Sequence, residues 1–168
     1  LIPSTSFANG KLLATPGVSQ IEGSAGGGLV PWAQLAGYAT ENELAISAFC
    51  SQVNVTDFQL NSCGGQANLF DRLEVSFAKQ NFNIDPLALT LTQHILGAKL
   101  RLYGDVVYST WPQLSVGIQH KSLMNSDIAF SLGAKKDTGN DVYLAASKLH
   151  LGLFSGYNVL WNATARYT

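Results

Sequence analysis

Along most of this chain apolar and polar side chains alternate with a period of two, and that period restricts it to β-strands with one apolar and one polar face. From Leu73 to Ala78, residues Leu73, Val75 and Phe77 point one way while Glu74, Ser76 and Ala78 point the other. Between Gln113 and Lys121, Leu114, Val116 and Ile118 oppose Gln113, Ser115, Gly117, Gln119 and Lys121. Near the end, Tyr157, Val159, Trp161, Ala163, Ala165 and Tyr167 alternate with Asn158, Leu160, Asn162, Thr164 and Arg166. Around His94 the same rule groups Leu96, Ala98, Leu100 and Leu102 against Gly97, Lys99, Arg101 and Tyr103.

Further strands are expected at Val18 to Glu22, Trp32 to Ala39, Leu44 to Val55, Phe58 to Leu69 and Asp141 to Leu149. Turn chemistry at Thr40-Glu41-Asn42-Glu43 and Asp137-Thr138-Gly139-Asn140 separates several of them. The alternation predicts about eight strands after Gly28. Asn83 to Thr92 and Leu123 to Lys136 do not alternate clearly and are expected to be the longer loops, either with room for a short helix. The run from Gly23 to Gly28 lacks the strand-before, helix-after context of a phosphate loop and is read as a turn.

The length of 168 residues suits one domain. Apolar residues make up 46% and charged residues 12%, yet no stretch approaches the ~18 uninterrupted apolar residues of a spanning helix. Apolar surface must therefore be presented in short segments. A net charge of −1 with scattered cations argues against nucleic acid as a partner. The chain opens at Leu1, and an export signal, if there is one, is expected to have been removed.

A hairpin joining Leu44–Val55 to Phe58–Leu69 through Thr56 and Asp57 sets residues whose numbers add to a constant opposite each other. That register pairs Cys50 with Cys63, Val55 with Phe58, Val53 with Leu60, Gln52 with Asn61 and Asn54 with Gln59. A cross-strand disulfide follows, which implies an oxidising compartment; two unrelated buried thiols are the alternative. Neither cysteine has zinc-type spacing to a partner.

Alternation is common to a soluble β-sandwich and a membrane barrel, which differ in the solvent that meets the apolar face. Long strands favour the barrel, since a tilted strand needs ~9–11 residues to cross hydrocarbon. So do mid-strand charges such as Glu74, Lys99, Arg101 and Arg166, which a polar lumen accepts. Trp32, Tyr38, Phe77, Tyr157 and Tyr167 near strand ends suit an aromatic girdle at the membrane surface.

The segments Lys11 to Thr15, Gly17 to Gly23, Gly26 to Ala33, Leu69 to Glu74, Gly97 to Asp105 and Asp141 to Ala146 carry a resemblance along nearly the whole chain. Together they resemble an uncharacterised proteobacterial family, known only as a domain of unknown function, with exported, outer-membrane-like members. The resemblance implies a Gram-negative exported β-protein and no activity. It also implies further strands beyond Thr168, since members of the family continue past that point.

Catalytic signals are weak. Asp137-Thr138-Gly139 matches an aspartic-protease tripeptide but follows Lys135-Lys136, and Asp137, Asn140 and Asp141 lack the other ligands of a calcium loop. His94, His120 and His150 fall with apolar residues at strand ends and no serine is tied to them. Asn54-Val55-Thr56 and Asn162-Ala163-Thr164 match a glycosylation sequon inside expected strands or tight turns. The expectation is an antiparallel transmembrane β-barrel of the bacterial outer membrane, structural or pore-type (porin-like), with no catalysis and no cofactor. Its lumen would be lined by Gln52, Asn61, Glu74, Lys99, Arg101, Gln119, Lys121 and Arg166. Membrane lipid, and other chains completing the barrel, are the expected partners. The alternative is a soluble periplasmic β-sandwich acting as a binding or accessory subunit of a larger assembly.

Overall fold

The structure of the protein, a computed structural model, describes residues 18–37, 39–124, 126–131 and 133–168, the side chains of Ile128, Ala129 and Phe154 excepted. It is all-β and antiparallel, with 66% of residues in strands. Seven long strands form one sheet in sequence order: β3 (Leu44–Val55), β4 (Phe58–Leu69), β5 (Leu73–Ile84), β6 (Leu89–Tyr103), β7 (Gln113–Leu123), β8 (Thr138–Phe154) and β9 (Tyr157–Tyr167). The sheet curls into a half-barrel and does not close. Ahead of it, β1 (Gly26–Gly27) and β2 (Val30–Pro31) make a small hairpin of their own.

The β3–β4 register pairs Cys50 with Cys63, Val55 with Phe58 and Gln52 with Asn61. A three-residue connection, Phe70 to Arg72, serves β4–β5 at the other end, where Phe70 and Asp71 adopt positive φ of 57° and 53°. Several expected boundaries are corrected. Asn83–Thr92 is no loop: β5 runs to Ile84, a single 3-10 turn at Asp85–Leu87 reverses the chain, and β6 begins at Leu89. Pro86 accounts for the turn by removing a backbone donor and fixing φ. Asp137–Asn140 is not wholly a turn either, since β8 starts at Thr138. The segment 123–136 is a connection holding the short helix α1 (Ser126–Ser131).

Residues 18–39 differ most from the expectation. Val18–Glu22 is not a strand; an isolated bridge joins Ser19 to Ala25. Nor are the described residues of Trp32–Ala39, which are bend, turn or irregular, with Ala33, Leu35, Ala36 and Ala39 buried. This segment lies on the concave side of the half-barrel as a plug, held to strand side chains by the contacts described below. Local hydrogen bonds fix its shape, including Gln20 Nε2 to Ser24 Oγ at 2.7 Å and Ile21 N to Gly28 O at 3.0 Å. Gly23 turns there at φ 105°, with the position of an added Cβ only 3.2 Å from the Ala78 methyl.

Burial is inverted relative to a water-soluble sheet. On β5, Glu74, Ser76 and Ala78 are buried while Val75 and Phe77 are exposed. On the convex face Ile46, Leu96, Leu100, Ile118 and Leu144 are exposed, Ile46 to 85%. The girdle residues Phe77, Tyr157 and Tyr167 are exposed on that face too. Trp32 is not: it is half-buried in the plug with its indole against Gly27. Tyr38 lies outside the described residues.

Candidate functional site

The interface between the plug and the concave face gathers most of the buried polar side chains. Its centre is a cross-strand pair, Glu74 of β5 opposite Lys99 of β6. Lys99 Nζ lies 3.1 Å from Glu74 Oε1, with the two side chains 1% exposed or less. A buried ion pair needs its remaining hydrogen-bonding capacity filled, and the plug's backbone fills it. Glu74 accepts from Ala25 N at 3.0 Å and Ala36 N at 2.7 Å. Lys99 donates to Ala25 O at 2.8 Å and Gln34 O at 2.9 Å. One ion pair thus braces both limbs of the plug, and each charge is satisfied by backbone dipoles that no outside solvent reaches.

A second station, on β7–β9, is organised by Glu22. Its carboxylate accepts from Lys121 Nζ, and from Arg166 Nη2 at 2.6 Å. Asp141 takes the same two cations, Lys121 at 3.0 Å and Arg166 at 2.5 Å. Gln119 Oε1 accepts from Arg166 Nη2 at 2.7 Å. Two carboxylates and two cations balance in charge. A third station grips Ala33: Gln113 Nε2 and Ser115 Oγ donate to its carbonyl at 2.7 and 2.5 Å, and its N–H donates to Ser147 Oγ at 3.0 Å. Ser62 Oγ and Gln80 Nε2 donate to Ile21 O at 2.5 and 2.7 Å, and Thr164 Oγ1 donates to Pro31 O at 2.7 Å.

Glu74, Lys99, Gln119, Lys121 and Arg166 therefore share the concave side. Arg101 stands at the strand end, tied to Asp71 and, at 3.2 Å, to Asp105 across the β6–β7 connection. Gln52 and Asn61 are not lumen residues. Ser62, next to Asn61, is the buried one that reaches the plug, so strand alternation turns Asn61 and its partner Gln52 to the convex side. The cause is a polarity reversal at the tips of β3–β6. There the concave side carries apolar groups, with Phe58 and Phe82 stacked at 5.7 Å. The convex side carries amides, with Asn83 Nδ2 donating to Gln59 Oε1 at 3.1 Å and Thr92 Oγ1 to Asn81 Oδ1 at 3.1 Å. Cys50 and Cys63, joined as a disulfide with Cα atoms 4.1 Å apart, lie on the same convex side.

The sequence pattern gives no reason to single out Glu22, Ser62 or Ser147. Glu22 gave no signal, because no pattern in a glycine-rich turn reports a partner on distant strands. Gln113 and Ser115 were legible as members of a polar face, though not as ligands of Ala33.

The charged groups pair with one another, while Gln119 Nε2 and Arg166 Nε are buried without a hydrogen-bond partner among the described residues. The carboxylates of Glu74 and Asp141 are engaged by cations, and among the described residues no group of His, Cys, Asp and Glu has the geometry to hold a metal ion. His120 Nδ1 is 2.7 Å from Asn140 Oδ1, and Trp161 Nε1 donates to His150 Nε2 at 3.1 Å, both on the convex side and away from the plug. What these groups do is hold a backbone segment inside a curved sheet. No curated protein and no solved structure matches the chain. A comparison with protein families matches residues 15–168, and the chain belongs to that family, DUF3034, proteins of unknown function.

Proposed function

We propose that this chain forms the wall and the plug of an outer-membrane β-barrel with a structural or pore-type role and no catalysis. One observation carries the reading: apolar side chains such as Ile46, Leu96 and Leu144 are exposed while the Glu74–Lys99 ion pair is buried. Water favours the reverse arrangement, whereas hydrocarbon outside and a polar, plugged interior suit this one. With the plug in place the concave side is occupied, so the resting role is structural and conduction would require the plug to leave. Fractionation tests it. The protein is expected to remain with membranes through alkaline and high-salt washes and to be released by detergent; release by the washes alone overturns the proposal.

A second reading is favoured by the width of the apolar band. On β5 the outward residues Leu73, Val75 and Phe77 are followed by Lys79, Asn81 and Asn83, which is short of the ~9–11 residues of a tilted spanning strand. A periplasmic accessory subunit, its convex band covered by another protein rather than by lipid, matches that width. Recovery in the soluble fraction as a stable complex with a second protein would select it.

A further inference from the structure

The tips of β3–β6 form two rungs whose faces are the reverse of the wall below them. Val53, Leu60, Phe82 and Leu91 stand opposite one another across the four strands, and Val55, Phe58, Ile84 and Leu89 make the next rung towards the turns. All eight lie on the concave side. The rung beneath them, Ser51, Ser62, Gln80 and Gln93, includes the two side chains that hold Ile21 O of the plug, and strand alternation carries that direction on to the tips. The outward residues between these rungs are all amides and threonines, from Gln52 to Thr92 in one row and from Asn54 to Thr90 in the other. A wall with amides outside stands clear of hydrocarbon. Its apolar side opens into the mouth of the half-barrel, with the Ile21 turn of the plug as the floor.

Val53, Val55 and Phe58 are exposed and the other five are half-buried, so apolar surface is left open here. Size and charge select what can cover it. Strands ~4.8 Å apart and rungs about 7 Å apart make a wall of roughly 14 Å by 14 Å, or about 200 Å². Each side of a stable protein interface buries ~800 Å². A protein partner would gain little there, whereas a molecule of one or two rings fits. Neither rung carries a charge, so an ionised ligand would lose its hydration with nothing in return. Phe58 and Phe82 stack with centroids 5.7 Å and planes 9° apart, which presents aromatic surface to a further ring. Ser51 and Gln93, at the ends of the floor rung, supply a hydroxyl and an amide for one polar atom of the ligand.

We infer that these two rungs, floored by the plug, are a binding cup for one uncharged aromatic molecule of one or two rings. The ligand's ring lies against Phe58 and Phe82, and its single polar atom points down towards the floor rung. The cup is made by the inner face of the sheet and by the plug, so it does not depend on whether lipid or protein covers the convex band.

Calorimetric titration of the full gene product with p-cresol, which is uncharged at neutral pH and soluble in water, tests the inference. The protein is isolated from whichever fraction holds it and compared with a protein-free blank in the same detergent or buffer. Saturable binding of one molecule per chain is expected, with p-toluate, the same shape bearing a carboxylate, at least about tenfold weaker. Val53→Asp, at an exposed position, and Phe82→Ala are each expected to weaken p-cresol by at least about tenfold. Asn81→Ala, next to Phe82 but facing outward, leaves it unchanged. Val55→Cys is expected to react quickly with a water-soluble maleimide, and more slowly once p-cresol is present. Absence of saturable binding overturns the inference, as does p-toluate binding equally well, or affinity for p-cresol that survives both Val53→Asp and Phe82→Ala. A Val55→Cys thiol that does not react shows the cup already covered by polypeptide and overturns it too. None of these failures touches the membrane reading, whereas p-cresol binding by a protein that stays soluble without detergent would overturn that reading and leave this one standing.

Discussion

Lys99 concentrates the energetics of the interior. Its ammonium is buried against Glu74 and two plug carbonyls, so truncating it leaves a carboxylate in a dry site. Breaking such a pair from one side costs about 3–5 kcal/mol. Lys99→Met is accordingly expected to lower the denaturant midpoint steeply, while the double change Glu74→Gln with Lys99→Met recovers a large part of the loss. Equal losses in the single and double variants, measured by urea unfolding in detergent micelles or buffer as the protein requires, would contradict the pairing. Gly117 acts through space rather than charge. A Cβ there would meet the Tyr143 ring at 2.2 Å, and Tyr143 is directly opposite on β8 and 2% exposed. Gly117→Val forces the ring off its site and is expected to cost about 1–3 kcal/mol, read as a lower Tm. An unchanged melting curve would show that the ring does not need that space.

At the scale of elements, the β3–β4 hairpin owes its register to the two-residue turn between Val55 and Phe58, and a disulfide ties its strands together. The bridge spans a sequence separation of 13 residues, for which chain-entropy arguments give about 3 kcal/mol. Replacing both cysteines, Cys50→Ala with Cys63→Ala, is expected to destabilise by about that amount, and the loss should match that of the reduced wild type under the same denaturant. A variant as stable as the oxidised protein would count against a closed bridge. This hairpin also shows how far alternation is legible. Pairing of residues that sum to a constant was readable, because a two-residue turn fixes it. Which face looks inward was not. Polarity alone assigns Gln52 and Asn61 to the lumen, but near the tips of β3–β6 polarity and direction part company, and burial of Ser62 against the plug decides the matter.

The whole molecule is a curved sheet filled by its own preceding segment. The plug is held at separate stations on β5–β6, on β7–β8 and on β9, so its release is expected to be cooperative: no single station carries it. If the barrel is a pore, deleting residues 18–39 from the full gene product should convert a silent protein into one with open conductance in planar bilayers. Silence in a folded, membrane-inserted deletion variant would remove the plug from the gating account. The Glu22→Gln variant is expected to give intermittent openings only, because the Glu74–Lys99 brace remains.

The period of two determined, with no help from packing, that the chain makes long antiparallel strands with faces of opposite character, and the turn between Val55 and Phe58 determined one register. Both are local properties: adjacent side chains diverge in a strand whatever surrounds it. The plug belonged to tertiary structure alone. The strands expected at Val18–Glu22 and Trp32–Ala39 do not form among the described residues, because the backbone there is anchored by Glu74, Lys99, Ser115 and Ser147, which lie up to 114 residues away in sequence from the groups they bind. The local hydrogen bonds shape the segment, but where it sits leaves no trace in its own composition, since the side chains that anchor it meet only after the sheet has curled.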